Sequence, residues 1–434
     1  MYTENILGKH WRILGKTVGR ESISRAWNSD GKYQLIYPIL ADTDKTKPMD
    51  YHFDEYIDRS GTDSIKWDTG EADTLPMWIA DMDFKTAPVI HEAIKARVAH
   101  GVFGYTRTPD RFFDAIIGWW KKRHGYTLQK GWIRPVTGVI PALSAIIRAL
   151  TDEGDKVLVQ PPVYNHFYIA IGHCDRQVVE NNLIFSDGLY RIDFADLEAK
   201  AADPAVKLLM LCNPHNPAGR VWTTEELTRI GEICARHDVL VLADEIHSDL
   251  VHQGHTHVPF ASLGSTDGLR SITVSSPSKT FNLAGLQVGY LFSEHEDLMR
   301  PIQQVLAAQE MELLSPFAIE ALVAAYEQGE EWLDSLLAYL HGNYAYLIDF
   351  CAKHLPEINV VPLEATYLAW LDCRAIFTTS ADFTEKLLVR EKVWLNPGTM
   401  YGDAGEGFIR INIACPRSLL EEGLSRFAKG VKAS

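Results

Sequence analysis

The stretch Ser271-Ile-Thr-Val-Ser-Ser-Pro-Ser-Lys279-Thr-Phe-Asn-Leu-Ala-Gly-Leu286 decides the fold. Its β-branched start predicts a strand, which ends in small hydroxyl residues and one lysine. A lysine at the mouth of a buried strand can reach a bound ligand and loses its proton readily, which makes Lys279 a candidate for Schiff-base chemistry. Most single lysines are solvated surface charges, so this hypothesis depends on the chain upstream.

Two apolar runs upstream also end in polar residues. Residues 206–212 lead to Asn216 in an Asn-Pro-x-Gly turn, and residues 239–243 lead directly to Asp244. Runs this apolar are typical of strands in a parallel sheet that is covered on both faces. The gaps of 28 residues (244 − 216) and 35 residues (279 − 244) leave room for crossover helices. Because ligands bind beyond the carboxyl ends of such strands, we expect Asn216, Asp244 and Lys279 to face one crevice.

An aspartate and a lysine on strand ends of one sheet meet the needs of pyridoxal 5′-phosphate (PLP). The lysine holds the aldehyde, and the aspartate keeps the pyridine nitrogen protonated so that the ring accepts electrons. Asp244 could otherwise cap a helix, and Asn216 could simply form a turn. The order of strand, aspartate, strand and lysine favours the PLP interpretation.

The motifs of the chain resemble those of fold type I PLP enzymes in the class I/II aminotransferase superfamily, and within it the MalY/PatB subgroup of cystathionine β-lyases. The similarity extends from Tyr51 to about Lys432. The motifs that carry it are Lys66-Trp-Asp68, Met77-Trp-Ile-Ala-Asp-Met-Asp-Phe84, Gly101-Val-Phe-Gly-Tyr105-Thr, Pro161-Pro-Val-Tyr164, Asn216-Pro-Ala-Gly219, Asp244-Glu-Ile-His247, the Lys279 stretch and Gly407-Phe-Ile-Arg410-Ile-Asn412. The resemblance implies an α/β fold, with a mostly parallel sheet in a large domain and a smaller α+β domain from both chain ends.

The ring of the cofactor has two predicted contacts besides Lys279 and Asp244. The resemblance assigns Asn216 a hydrogen bond to the 3-hydroxyl group of PLP. Tyr164 follows Pro161-Pro162 at a strand end, where an aromatic residue can stack on the pyridine ring and border the substrate. Its alternative is a plain core tyrosine.

The phosphate of PLP needs hydrogen-bond donors and positive potential. A turn at Gly138 opens a predicted helix, so the backbone N–H groups of Val139 and Ile140 can face an anion. Ser276 matches the hydroxyl donor of the family, three residues before Lys279. Tyr105 matches the tyrosine that reaches the phosphate from the neighbouring subunit, which implies a homodimer with composite catalytic sites; otherwise it is a loop aromatic.

The α-carboxylate of an amino-acid substrate has a predicted anchor in Arg410. A planar guanidinium can hold a carboxylate through two hydrogen bonds. The alternative for Arg410 is an ion pair on a strand edge. Two positions depart from the wider superfamily and match the lyase subgroup: Gln287 replaces an arginine, and His247 replaces a tyrosine. His247 is equally a cofactor ligand or a hydrogen-bonded structural histidine.

Composition excludes several classes of partner. The chain of 434 residues has a net charge of −15, with +3 in residues 1–48 and −18 (−15 − 3) in the remainder. An acidic body argues against nucleic acid and anionic membranes. Six scattered cysteines, without metal-binding spacing, are typical of free thiols in a reducing cytoplasm. We therefore predict a cytoplasmic protein without a metal site.

The domain organisation follows from the alternation of elements. We predict a large PLP-binding domain at 92–331 and a small domain formed by 49–91 and 332–434. Residues 1–48 precede the family pattern, so they form either a flexible extension or sequence upstream of a start at Met49.

The resemblance implies a carbon–sulfur β-lyase that cleaves cystathionine or a related cysteine thioether to a thiol, pyruvate and ammonia. Lys279 would take the α-proton, and the thiol would leave from Cβ. An aminotransferase uses the same first steps and returns the proton to the cofactor. A regulatory protein that only binds PLP is a third alternative.

Overall fold

A computed structural model describes residues 12–13, 24–27, 33–36, 51–263 and 268–433. The prediction of a flexible extension at residues 1–48 lies largely outside the described residues. The described parts of that range are three short antiparallel strands. No helix in the described part of the chain is both long and apolar enough to cross a membrane.

The described helices are distributed along the chain from residue 65 to residue 432. The described α-helices are α1 Ile65–Asp68, α2 Pro88–His100, α3 Asp110–His124, α4 Val139–Leu150, α5 His166–His173, α6 Phe194–Ala201, α7 Thr224–Arg236, α8 Pro277–Thr280, α9 Glu296–Ala308, α10 Pro316–Gln328, α11 Glu330–His354, α12 Ser380–Glu391 and α13 Arg417–Lys432. Short 3₁₀ helices lie at Lys130–Trp132, Phe260–Ser262, Ala284–Leu286, Gly398–Tyr401 and Asp403–Gly405.

The described strands are short, from two to seven residues. In chain order they are β1 Arg12–Ile13, β2 Ser24–Trp27, β3 Tyr33–Ile36, β4 Leu75–Pro76, β5 Ile133–Val136, β6 Lys156–Val159, β7 Gln177–Glu180, β8 Ile184–Ser186, β9 Leu189–Arg191, β10 Val206–Cys212, β11 Leu240–Asp244, β12 Ser271–Ser275, β13 Gly289–Phe292, β14 Asn359–Val360, β15 Leu368–Asp372, β16 Val393–Trp394, β17 Asn396–Pro397 and β18 Phe408–Asn412.

A seven-stranded sheet in the order β5-β13-β12-β11-β10-β6-β7 forms the centre of the fold. All its strands are parallel except β13, which is antiparallel to both neighbours. Alternate side chains pack on opposite faces: Leu242 joins a core cluster with α4, α5 and α9, whereas Val241 joins one with α6 and α7. The prediction of a mostly parallel α/β sheet, covered on both faces, is confirmed.

The register of the central strands sets the position of the predicted site. Asp244 pairs with Cys212 on one side and with Val274 on the other. Since β10, β11 and β12 run in the same direction, the residues that follow them emerge at one edge of the sheet.

A second sheet, in the order β14-β15-β18-β17, is antiparallel and carries Arg410 on its strand β18. Nearby, β16 pairs in parallel with β4, which joins residues 393–394 to residues 75–76. This pairing is compatible with a small domain made from both chain ends. The domain boundaries themselves remain a prediction.

A buried ion pair ties α1 to the irregular segment after β4. Lys66 Nζ lies 2.7 Å from Asp83 Oδ2, and both side chains are almost inaccessible to solvent. Asp83 also accepts hydrogen bonds from Arg59 and from the indole of Trp67, each at 2.8 Å. The removal of one partner from such a pair leaves a charge inside the protein without full compensation.

We predict that Lys66→Met lowers the free energy of unfolding by about 3 kcal/mol, because Asp83 loses its closest cation. Urea unfolding, followed by circular dichroism, measures this loss. Lys85→Met is the matched control: Lys85 pairs with Glu55 at 2.6 Å, but with side chains 67% and 45% exposed, and such pairs contribute little. Equal losses in the two variants would contradict the prediction.

Candidate active site

A cavity of about 240 Å³ opens at the carboxyl edge of the central sheet. Asn216, Asp244 and Lys279 all line it, together with Tyr164 and His247. The sequence-based expectation that strand ends bring these residues to one crevice is therefore met by the structure. Their roles toward a ligand remain predictions.

Lys279 lies in α8, directly after β12, where Ser276 caps the short helix. Its Nζ atom donates a hydrogen bond of 2.6 Å to the carbonyl oxygen of Ala80. Burial lowers the pKa of Lys279 to about 8, and the Arg410 guanidinium contributes in the same direction, although Asp81 and Asp244 oppose it. At pH 7 about a tenth of this amine is therefore uncharged, which is the form that a nucleophile or a base requires.

Asp244 is the last residue of β11 and is 3% exposed. Burial raises the pKa of its carboxyl group to about 7, and Glu245 adds to the rise, although the Ile246 N–H donates to Oδ1 at 3.2 Å and Lys279 is nearby. A cationic partner within the cavity would stabilise the ionised form of this buried carboxyl group. A protonated pyridine nitrogen is such a partner.

Arg410 lies beside the cavity in strand β18 and is 4% exposed. Its Nη1 donates to Asn216 Oδ1 at 3.1 Å, and its Nη2 donates to the Trp78 carbonyl oxygen at 2.7 Å. Its buried Nε has no hydrogen-bond partner, and in the described part of the chain Arg410 forms no salt bridge. A buried cation held only by neutral acceptors is suited to bind an anionic group.

The start of α4 supplies the candidate anion site. Gly138 precedes the helix with φ 147°, a conformation that favours glycine, and Val139 and Ile140 begin the first turn. All three line the cavity. The first N–H groups of a helix have no partner within it, so this turn points donors and the positive end of the helix dipole at the cavity.

Ser276 does not line the cavity. Its hydroxyl donates to the Val288 carbonyl oxygen at 2.6 Å and accepts a bond of 3.0 Å from the Ser278 N–H, so it is committed to the local turn. Ser278 and Gln287 line the cavity instead. The predicted phosphate contact of Ser276 remains a prediction, with Ser278 as a second candidate.

His247 is buried, and burial lowers the pKa of its imidazole to about 3, with further lowering by Lys279 and Arg410. The ring is therefore neutral. Its Nδ1 has no hydrogen-bond partner, which is not the arrangement of a fully hydrogen-bonded structural histidine. Tyr164 also lines the cavity, where it is half-buried, and burial raises the pKa of its phenol.

Tyr105 is fully exposed and does not line the cavity of its own chain. This position agrees with a role in a neighbouring subunit, which stays a prediction.

Sequence reasoning missed the acceptors that hold the two cations of the site. The Ala80 carbonyl accepts from Lys279, and the Trp78 carbonyl accepts from Arg410. The phenol of Tyr367 also donates to the Ala80 carbonyl, at 3.0 Å. The motif Met77–Phe84 is visible in the sequence, but its side chains do not indicate that its backbone carbonyls face the site.

A family profile described as aminotransferase class I and II matches residues 72–427. Cystathionine beta-lyase PatB of Bacillus subtilis is 44% identical over 380 residues, which cover 86% of this chain and 98% of that protein. Protein MalY of Escherichia coli is 37% identical, with coverage of 88% and 99%. Cystalysin of Treponema denticola, whose crystal structure contains pyridoxal 5′-phosphate, is 33% identical with a TM-score of 0.86, and the match covers 89% of this chain and 100% of cystalysin.

Proposed function

The chain belongs to the aminotransferase class I and II family, and from that premise we propose that it is a PLP-dependent carbon–sulfur β-lyase. The observation that carries the proposal is the 44% identity to a cystathionine beta-lyase over 86% of this chain and 98% of the relative. The substrate class is then a cysteine thioether such as cystathionine, with homocysteine, pyruvate and ammonia as products. A role in methionine biosynthesis follows from homocysteine as the product.

The described residues fit PLP. Lys279, Asp244 and Asn216 line one cavity, where Lys279 would supply the amine, Asp244 a buried carboxyl group for the pyridine nitrogen and Asn216 an amide for the 3-hydroxyl group. Val139 and Ile140 offer backbone donors to the phosphate. Tyr164 lines the same cavity and would stack on the ring. When bound, PLP supplies a sink for the electron pair left at the α-carbon.

Two residues of the chain then act on the substrate, one by binding it and one by moving a proton. Arg410 binds the α-carboxylate and fixes the amino acid relative to the cavity. The uncharged amine of Lys279 removes the α-proton, and its pKa of about 8 suits a base that works near neutral pH. His247 remains neutral beside Lys279, so it adds no charge that would oppose the protonation of the amine.

We predict many turnovers of L-cystathionine without any keto acid, because elimination regenerates the starting form of the enzyme. The measurement follows pyruvate and free thiol against enzyme concentration. Lys279→Ala is the control and should abolish turnover.

The alternatives give different results in the same assay. An aminotransferase would release no thiol: it would convert a stoichiometric amount of cystathionine to the corresponding keto acid and would continue only after addition of a second keto acid. A protein that only binds PLP would release no product. Either result would contradict the proposed lyase activity.

We propose that the protein works as a homodimer with composite sites. Three apolar side chains on one loop support this: Val102, Phe103 and Tyr105 are 62%, 53% and 100% exposed. Large apolar groups that lie together on a surface are typical of association sites. A second copy of the chain, covering this loop, would bring Tyr105 to the phosphate of its partner's cofactor.

We predict that a mixture of Tyr105→Ala and Lys279→Ala proteins, after dissociation and reassociation, regains activity that neither variant has alone. In a mixed dimer one site carries both substitutions and the other carries none, so equal mixing should restore about a quarter of wild-type activity. Turnover measured before and after mixing tests this. Activity equal to the mean of the two parents would contradict a shared site.

A cytoplasmic location is part of the same proposal. All six cysteines of the chain are buried and unpaired. Free thiols of this kind are compatible with a reducing compartment.

A further inference from the structure

Residues 77–84, here named the bridge segment, have no regular secondary structure between β4 and α2. Backbone groups in such a segment must find partners outside a helix or sheet ladder. In this protein side chains from distant parts of the chain provide many of them. The resulting hydrogen bonds define where the carbonyl oxygens of the segment point.

Both cations of the site donate to the bridge segment. Lys279 Nζ donates to the carbonyl oxygen of Ala80 at 2.6 Å, and Arg410 Nη2 donates to that of Trp78 at 2.7 Å. The two acceptors are only two residues apart. The segment therefore sets the separation between the amine that moves the proton and the guanidinium that binds the carboxylate.

Asn412 binds the two carbonyl groups that flank the Ala80 carbonyl. Its Nδ2 donates to the carbonyl oxygens of Ile79 and Asp81 at 2.7 and 2.6 Å. The carbonyls on either side of Ala80 thus face Asn412, whereas the carbonyl of Ala80 faces Lys279. Asn412 is 2% exposed, and its Oδ1 is itself held by the Ala414 N–H at 2.7 Å.

Two further side chains act on the same segment. Asn282, three residues after Lys279, exchanges hydrogen bonds with both backbone groups of Met82, at 3.0 and 2.9 Å. The phenol of Tyr367 shares the Ala80 oxygen with Lys279. The bridge segment is thus attached to the turn of Lys279 on one side and, through Asn412, to the strand of Arg410 on the other.

We propose that Asn412 and Asn282 are positioning residues that hold the Ala80 carbonyl as the acceptor for the free amine of Lys279, and that the phenol of Tyr367 competes with this amine for the same oxygen. This inference rests on the proposed function only for the reaction that the amine performs. The acceptor also stabilises the charged form of the amine, so its position is measurable without any turnover. The other titratable or charged groups near Lys279 are Asp81, Asp244, Arg410, His247 and His166.

The test compares two buried asparagines that make the same kind of contact. Asn412→Ala removes the two bonds to the bridge segment. Asn343→Ala is the matched control, because Asn343 is also buried and its Nδ2 donates to the carbonyls of Ile413 and Cys415, each at 2.9 Å. The measurement is the pH midpoint for reductive methylation of Lys279 in the cofactor-free chain, followed by peptide mass spectrometry.

We predict that Asn412→Ala lowers this midpoint by about half a pH unit or more, because the ammonium of Lys279 loses a fixed acceptor. Asn343→Ala should lower the Tm to a similar extent and leave the midpoint at the wild-type value. An unchanged midpoint in Asn412→Ala, or an equal shift in both variants, would overturn the proposal. If Asn412→Ala shows the predicted fall in midpoint but the wild-type protein has no lyase turnover, the proposed function is wrong and the positioning role of Asn412 stands.

Tyr367→Phe provides a second variant that preserves the packing of the ring. Loss of the phenolic hydroxyl leaves Lys279 as the donor to the Ala80 oxygen. The midpoint for methylation of Lys279 should therefore rise, opposite to the effect of Asn412→Ala. Tyr190→Phe is its control, since Tyr190 is 1% exposed and its hydroxyl accepts from Trp370 at 3.1 Å, away from the bridge segment. A fall or no change with Tyr367→Phe would refute the proposal even where Asn412→Ala does not fold.

Discussion

The parallel register of β10, β11 and β12 is the constraint on which the rest of the site depends. Asp244 pairs with Cys212 and Val274, so the three strands end together and their following residues reach one cavity. A slip of one residue would turn the Asp244 side chain to the opposite face of the sheet. The pairs between β10 and β11 and between β11 and β12 lie in buried strands, which makes such a slip costly. The low pKa of Lys279 and the high pKa of Asp244 both follow from this shared, dry position.

Sequence alone predicted the parts of the protein that depend on local pattern. The apolar run at 206–212 is strand β10 with the same bounds, and the run at 239–243 is β11, shifted by one residue. Because parallel strand ends share an edge, these two assignments and the Lys279 stretch were enough to place the cavity. The glycine turn before Val139 was equally readable, since glycine is favoured where φ is positive.

Other features could not be predicted because they depend on contacts between distant residues. Asn412 contacts residues more than 300 positions away, and no local pattern distinguishes it from an ordinary strand residue. Ser276 shows the opposite problem: its spacing from Lys279 predicts a phosphate donor, but its hydroxyl serves the turn and the cavity is lined by Ser278. A serine near a helix start can cap that helix or bind a ligand, and only three-dimensional placement separates these roles.

The central claim is that Lys279 is the residue that holds the cofactor and moves the proton. The most direct measurement is reduction of the PLP-loaded protein with borohydride, followed by digestion and peptide mass spectrometry. The account predicts a yellow protein whose colour is lost on reduction, with the cofactor fixed to the peptide that contains Lys279. A label on any other lysine, or a cofactor that washes away after reduction, would contradict it.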